Sequence, residues 1–338
     1  MRKYRIAILG ATGAVGQEMM KLLEERAFPV EELRLLASPR SVGLEMSFCG
    51  KPHYVQLADE NAFEGMDIVL GAVENDIAMA LLPHAVSGGA IVIDNSSAYR
   101  LKEDVPLVVP EINGEDVLWH KGIIANPNCT TIIAAMAVAG IHRISPVTHM
   151  IASSYQAVSG AGVEGIRELE AQIKALEAGE QVECKTFTYQ IAYNLIPQIG
   201  GFDEVGYTSE EMKLQNEGRR ILHAPNLSVT CTCVRVPVMR SHSVSVSIET
   251  ETPVDLAAAR DAIASFPGCK LVDDPANKLY PTPLDTSDQD LVFVGRVRSS
   301  LSSESGGISL WCCGDQIRKG AATNAIQIAE ELIKQGVL

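Results

Sequence analysis

The stretch Gly10-Ala11-Thr12-Gly13-Ala14-Val15-Gly16 constrains this chain more than any other. It directly follows a short apolar run at residues 5–9 and directly precedes a run of helical spacing at residues 14–25. Glycines in that place permit a tight turn and close backbone approach, and they present the first N–H groups of a helix to an anion. The spacing is GxxGxxG, a variant of the usual GxGxxG. Three glycines in a turn are commonly only a turn. After the first strand of a βαβ unit they read instead as a dinucleotide fingerprint, with Gly10, Thr12, Gly13, Ala14, Val15 and Gly16 against the cofactor.

The rest of the first third supports that context. Residues 32–37, 67–71 and 90–94 are short apolar runs bounded by turn residues, and residues 76–87 carry helical spacing. Strands separated by helices imply βαβ units and a parallel sheet. Beyond Cys129 the pattern changes. Residues 130–140 form an apolar helical run. Residues 163–178 form an amphipathic helix with Val163, Ile166, Leu169, Ile173 and Leu176 on one face. Residues 228–238 and 243–249 alternate with period two, as strands of a mixed or antiparallel sheet with one covered face. A last helix spans residues 321–335 and stops at Gly336. With 338 residues the chain exceeds one domain of ~150 residues. The expected fold class is α/β: a Rossmann-type nucleotide domain (residues 1–128 plus 316–338) and a second α+β domain (residues 129–315).

A net charge of −14 argues against nucleic acid or an anionic membrane as the main partner, since both reward basic surfaces. No segment approaches the ~18 consecutive apolar residues of a membrane span. The basic start Met1-Arg2-Lys3-Tyr4-Arg5 is followed by only four apolar residues before Gly10, too few for a secretory signal, so a cytoplasmic protein is expected. Eight cysteines, at 49, 129, 184, 231, 233, 269, 312 and 313, include no CxxC pair and no zinc-type spacing. No metal is expected, and each thiol is by default buried, reduced and inert.

Two local patterns depart from that default. An NAD-binding chain usually ends its second strand on Asp or Glu, which holds the ribose 2′-hydroxyl. Here the strand ends Ala37-Ser38-Pro39-Arg40-Ser41, and a guanidinium with two hydroxyls suits a 2′-phosphate. Ser38, Arg40 and Ser41 therefore point to NADP; the bland alternative for Arg40 is a solvated loop residue. The second pattern is Asn126-Pro127-Asn128-Cys129-Thr130-Thr131 ahead of the apolar helix. Proline is favoured at the first helical position, and the residue before it is held extended. Cys129 then sits in the first turn, where N–H groups and the helix dipole stabilise a thiolate.

That cysteine motif resembles the active-site motif of aspartate-semialdehyde dehydrogenases. Others agree in the same order: Asp94-Asn95-Ser96-Ser97-Ala98-Tyr99-Arg100, Tyr155-Gln156-Ala157-Val158-Ser159-Gly160-Ala161-Gly162, Arg235-Val236-Pro237-Val238 with His242 beyond, and Gly314-Asp315-Gln316-Ile317-Arg318-Lys319-Gly320-Ala321-Ala322. With the glycine loop these run from Gly10 to Asn324, nearly the whole chain. The resemblance implies an NADP-dependent reduction of aspartyl phosphate to aspartate semialdehyde, reversible with inorganic phosphate, in biosynthesis of lysine (through diaminopimelate), threonine, methionine and isoleucine. It implies Cys129 as the nucleophile forming an acyl thioester, and His242 as acid/base with a pKa near the working pH. Gln156 would contact the bound intermediate, Arg235 the substrate α-carboxylate, and Glu210 its amine. Arg100, Asn128 and Lys213 would bind phosphate. Ser159 and Gly160 would close near the nicotinamide, and Gln316 and Asn324 would contact the cofactor. A homodimer through the second domain is implied as well.

Taken without the resemblance, several of these residues have plainer readings. His242 is a structural histidine, Glu210 and Lys213 a solvated helical charge pair, Gln316 a helix cap and Asn324 a surface amide. Competing functions are N-acetyl-γ-glutamyl-phosphate reductase, a silent dimeric paralogue, and a redox sensor. Arg235 and His242 are seven residues apart, ~23 Å on a straight strand. Sharing a four-carbon substrate therefore requires a turn near Arg240-Ser241, and a tight hairpin is expected there.

Overall fold

The structure is a computed structural model that describes residues 2–301, 303 and 306–338. Two compact units emerge: Met1–Asn128 with Ala321–Leu338, and Cys129–Gly320.

The first unit holds β1 (Tyr4–Leu9), α1 (Ala14–Glu25), β2 (Val30–Ala37), a β3–β4 hairpin (Glu45–Phe48, Lys51–Tyr54), β5 (Gln56–Leu57), β6 (Ile68–Gly71), α2 (Asn75–Ser87), β7 (Ile91–Asp94), the single-turn α3 (Pro110–Asn113) and β8 (Ile123–Ala125). Its main sheet runs β5-β2-β1-β6-β7-β8, and every pairing is parallel. The strand order reverses direction between β1 and β6, which is where open α/β sheets bind ligands. Continuous apolar strands such as Ile68–Gly71, buried at every position, follow from helices covering both faces. Ile6, Ile8, Leu22, Leu35 and Ile68 form the core together with Ile326 and Leu332 of the C-terminal helix, Thr323–Lys334. The chain's end thus completes the first unit's core.

The second unit holds α4 (Cys129–Ile144), β9 (Val147–Gln156), α5 (Gly162–Ala178), α6 (Ser209–Ile221), β10 (Ser228–Arg235), β11 (His242–Thr250), α7 (Leu256–Ser265), β12 (Cys269–Leu271), α8 (Pro283–Thr286), β13 (Val292–Ser299) and β14 (Ile308–Gly314). The sheet order is β10-β9-β11-β14-β13-β12. It is mixed: β9 and β10 are parallel, as are β12 and β13, while the remaining neighbours are antiparallel. Helix α4 packs against β11, β13 and β14 and is buried from Thr130 to Ile141, as its all-round apolar sequence requires. Along β9 the alternation leaves His149, Ile151 and Tyr155 exposed on the other face.

Three expectations need correction. Ser241 does turn the chain, at φ +72°, but β10 and β11 form no hairpin. Strand β9 lies between them, parallel to one and antiparallel to the other. Helix α4 begins at Cys129 itself, so Pro127 stands ahead of the helix rather than at its first position. The chain returns to the first unit at Ala321 rather than at residue 316. Gln316 is held in the second unit, where it donates to the Ser159 hydroxyl and accepts from Ser241 N–H at 2.9 Å. Among the described residues no helix is long and apolar enough to cross a membrane.

Candidate active site

The glycine loop leaves β1 at Gly10, whose φ of +87° favours glycine, and a Cβ there would lie 2.3 Å from the Ala72 carbonyl oxygen. A Cβ on Gly16 would lie 2.3 Å from the Gly10 carbonyl oxygen. These two glycines let strand and helix meet closely. Gly13 differs: its backbone is extended, and a Cβ would meet only the Gly10 oxygen, at 3.4 Å. No side chain caps α1, so its first N–H groups face the loop as an anion site. A cavity of about 540 Å³ opens here, lined by Leu9, Gly10, Thr12 and Gly13, by Ser38 from the end of β2 and by Asp76 from α2. Thr12 Oγ1 is 3.5 Å from Ser41 Oγ, and Arg40 is exposed in the turn Pro39–Ser41. The cradle fits a dinucleotide. Asp76 was not singled out from the sequence, because an acidic residue in a helix's first turn is ordinary.

Within the same unit a chain of amides supports the segment leading to Asn128. Asn126 Nδ2 donates to Asn95 Oδ1 (2.7 Å) and to the Ala321 carbonyl (3.1 Å). Asn324 Nδ2 donates to Asn126 Oδ1 (2.6 Å) and the Val108 carbonyl (2.9 Å), so this buried amide is no surface group. Arg100 donates to the carbonyls of Asn126 (2.9 Å) and Asn95 (2.6 Å). Arg100 and Asn128 thus belong to the first unit, and Lys213, the third phosphate candidate, to the second.

In the second unit the sheet register does what a hairpin was expected to do. Arg235 at the end of β10 pairs with Gln156 at the end of β9, and Ser243 of β11 pairs with Tyr155. Arg235, Gln156 and His242 therefore stand side by side at one edge. Gln156 accepts from Ser154 Oγ (2.9 Å) and donates to Glu210 Oε1 (3.2 Å), with its Nε2 3.5 Å from His242 Nε2. Glu210 is only 7% exposed and pairs with Lys213 at 2.8 Å, so the solvated-pair reading fails. Thr208 and Glu211 form a capping box that starts α6 and aims Glu210 inward. Arg235 Nη1 donates to the Ala157 carbonyl at 2.7 Å. Burial pushes its pKa down while Glu210, then Cys129, push it up, which brings the thiol of α4's first residue into the same electrostatic neighbourhood. Two glycines give these groups room. A Cβ on Gly160 would lie 2.7 Å from Arg235 Nη1 and 3.0 Å from His242 Cε1; one on Gly320, in the π-turn Arg318–Ala322, would lie 2.8 Å from Cys129 Cβ.

His242 departs from expectation. It is fully buried, and desolvation, aided by the Arg235 charge, pushes its pKa down to about 3 rather than holding it near the working pH. The Ala157 N–H donates to Nδ1 at 3.1 Å. A neutral ring with Nδ1 accepting carries its hydrogen on Nε2. At neutral pH His242 is thus a hydrogen-bond donor toward Gln156's side of the site.

Among the other thiols, Cys231, Cys233, Cys312 and Cys313 are buried; burial pushes the Cys312 thiol up and takes Cys313 to about 11. Cys49 and Cys184 are exposed, which the sequence did not indicate. Among the described residues no group of His, Cys, Asp or Glu is arranged to hold a metal.

Fold and site together define a two-unit, nucleotide-binding dehydrogenase with a cysteine at its polar cluster. The family description "Semialdehyde dehydrogenase, NAD binding domain" matches residues 5–120, and "Semialdehyde dehydrogenase, dimerisation domain" matches residues 138–319. Aspartate-semialdehyde dehydrogenase of Aquifex aeolicus is 48% identical over 99% of both chains, and that of Synechocystis is 45% identical over 99% of this chain and 98% of its own. The crystal structure of aspartate semialdehyde dehydrogenase II from Vibrio cholerae, complexed with ASA, superposes with a TM-score of 0.95 at 42% identity over 99% of each chain. This chain belongs to the aspartate-semialdehyde dehydrogenase family.

Proposed function

We propose that this protein reduces L-aspartyl 4-phosphate to L-aspartate 4-semialdehyde with NADPH, and runs the reverse reaction with inorganic phosphate, through a thioester on Cys129. The observation that carries this reading is the convergence of Gln156, Arg235 and His242 at one sheet edge with Glu210 buried beside them. Arg235 offers a planar fork for the α-carboxylate, and Glu210 a carboxylate for the free amine. An N-acetylated substrate would leave Glu210 without that cation, which disfavours the N-acetyl-γ-glutamyl-phosphate reductase reading.

The chemistry divides one hard step in two. The Cys129 thiolate attacks the acyl carbon, and phosphate leaves with the electron pair of the broken C–O bond. The motif resemblance assigns phosphate binding to Lys213 in the second unit and to Arg100 and Asn128 in the first. The glycine cradle would hold NADPH with Arg40, Ser38 and Ser41 toward the 2′-phosphate, and the cofactor when bound would supply the hydride that reduces the thioester carbon. The same resemblance assigns cofactor contacts to Ser159, Gly160 and Gln316 in the second unit and to Asn324 in the first. The resulting oxyanion re-forms the carbonyl, breaks the C–S bond and regenerates the thiolate. His242 Nε2–H and Gln156 Nε2–H donate to that oxygen, and neither step requires the imidazole to take a proton. The product feeds lysine, threonine, methionine and isoleucine biosynthesis. A homodimer through the second unit is supported by the dimerisation-domain match and by Ile151, exposed on an open sheet face.

The test is NADP reduction with aspartate semialdehyde, with and without inorganic phosphate. Strict phosphate dependence is expected. Turnover that ignores phosphate would overturn the reading.

A further inference from the structure

Arg235 does not stand alone at the substrate end of the site. The Phe187 ring lies 5.9 Å from its guanidinium carbon, and Thr186, Phe187, Thr188 and Gln198 line a cavity of about 180 Å³ that Arg235 closes. Residues 181–190 contain neither helix nor strand, so no backbone ladder holds Phe187 in place. The order is imposed from α5. Glu168, buried at 8% exposure, accepts the backbone N–H groups of Lys185 (3.0 Å), Thr186 and Phe187 (3.4 Å). One turn further on, Gln172 donates to Glu168 (3.0 Å) and to the Glu183 carbonyl (3.0 Å). Its Oε1 accepts the N–H groups of Ile191 (2.8 Å) and Ala192 (3.0 Å). Ile191, Ala192 and Ile196 then pack with Leu169 and Val158, and Phe187 lies against this cluster. Finally Ile196 exchanges both backbone hydrogen bonds with Arg235, at 3.0 and 2.8 Å. The segment is tied to α5 at one end and to the strand residue that carries the guanidinium at the other.

We infer that Glu168 and Gln172 are positioning residues for substrate recognition: they hold residues 183–192 so that Phe187 fixes the Arg235 fork and Thr186 and Thr188 wall the pocket for a short α-amino-acid head group. The inference rests on Arg235 being the carboxylate-binding group. A buried carboxylate is needed at residue 168 because it must accept several N–H groups at once. The isosteric amide has one oxygen fewer and turns an N–H toward another N–H.

Glu168→Gln tests this by steady-state kinetics with aldehyde, phosphate and NADP varied independently, together with hydrogen exchange of the 185–187 amides. Losing acceptors for buried N–H groups should raise the KM for aspartate semialdehyde about tenfold, with kcat and the KM values for phosphate and NADP changed by less than about threefold. Exchange at 185–187 should quicken. An unchanged aldehyde KM, or equal losses for all three substrates, overturns the inference. If Glu168→Gln does not fold, Phe187→Leu leaves the Glu168 bonds intact and should show the same selective rise; an unchanged KM there also overturns it. Arg235→Lys separates the two readings. If it raises the aldehyde KM while Glu168→Gln and Phe187→Leu do not, only the positioning role falls. An unchanged KM in Arg235→Lys removes the carboxylate assignment itself.

Discussion

The cofactor cradle and the thiol cluster are built in opposite ways. The cradle comes from one contiguous stretch, Gly10 to Gly16, whose function is carried by backbone: a positive φ at Gly10, close approach at Gly16, and uncapped N–H groups opening α1. The cluster gathers Cys129, Gln156, Glu210, Arg235 and His242 from the ends of α4, β9, α6, β10 and β11. Its function is carried by side chains whose meeting depends on the strand order β10-β9-β11. A backbone site is therefore compact in sequence and tolerant of side-chain identity, whereas a side-chain site is dispersed and sensitive to register.

The contrast breaks most sharply at Cys129. Cys129→Ala should abolish turnover while leaving NADP binding and the melting temperature nearly unchanged, as followed by cofactor titration and thermal denaturation. Alkylation should be slowed by substrate at Cys129 alone. The rivals to watch are the exposed Cys49 and Cys184, not the buried thiols, and activity lost through either of them would displace Cys129 as the nucleophile.

Within the cradle the glycines should separate fold from ligand. Gly10→Ala places a Cβ 2.3 Å from a carbonyl oxygen at φ +87° and should destabilise the protein by about 3 kcal/mol or more. Gly13→Ala meets only a 3.4 Å contact, so its stability should shift by a few tenths of a kcal/mol while NADP affinity drops, because only a bound pyrophosphate needs that space. Equal melting shifts for the two variants would dissolve the distinction. Arg40→Ala is the side-chain exception inside this backbone site. It should weaken NADP by about 1.5–3 kcal/mol and NAD far less; equal losses would reduce Arg40 to a loop residue.

The cluster also carries a pH signature. Because the His242 pKa falls to about 3 in the fold, the unfolded chain takes up a proton that the folded chain refuses. Stability should fall as pH drops from about 6.5 towards 3, at about 1.4 kcal/mol per pH unit, or about 2 kcal/mol by pH 5. Denaturant unfolding at pH 7 and pH 5 should show a smaller loss in His242→Gln than in the parent, the remainder coming from His120 and His142, whose pKa values burial also lowers; an equal loss in both would mean His242 is not a group responsible. An effect directed at phosphate is expected for Lys213→Ala, whose ammonium is shared with Glu210 at 2.8 Å. Its phosphate KM should rise about tens-fold, with a milder change for the aldehyde. A larger defect on the aldehyde would move the phosphate site elsewhere.

Much of the chain was legible in its sequence because local patterns decided it. Helix α1 occupies the expected residues 14–25, and the mixed second sheet follows from period-two runs. The motif around Cys129 places that residue in its helix's first turn, though at the first position rather than behind Pro127. Four things were decided only by tertiary structure. β9 inserts between β10 and β11, because strand pairing is a long-range choice that a seven-residue spacing cannot encode. Glu210 is buried although its local pattern is that of a solvated pair, because neighbouring elements cover it. The depressed His242 pKa arises from full burial beside Arg235, and neither residue's own segment contains that information. Glu168 and Gln172, ordinary polar positions on an amphipathic helix, acquire partners only when residues 183–192 fold back over them. Backbone geometry is set by near neighbours in the chain and can be read there; desolvation and register are set by whatever packs alongside, and exist only once the chain has folded.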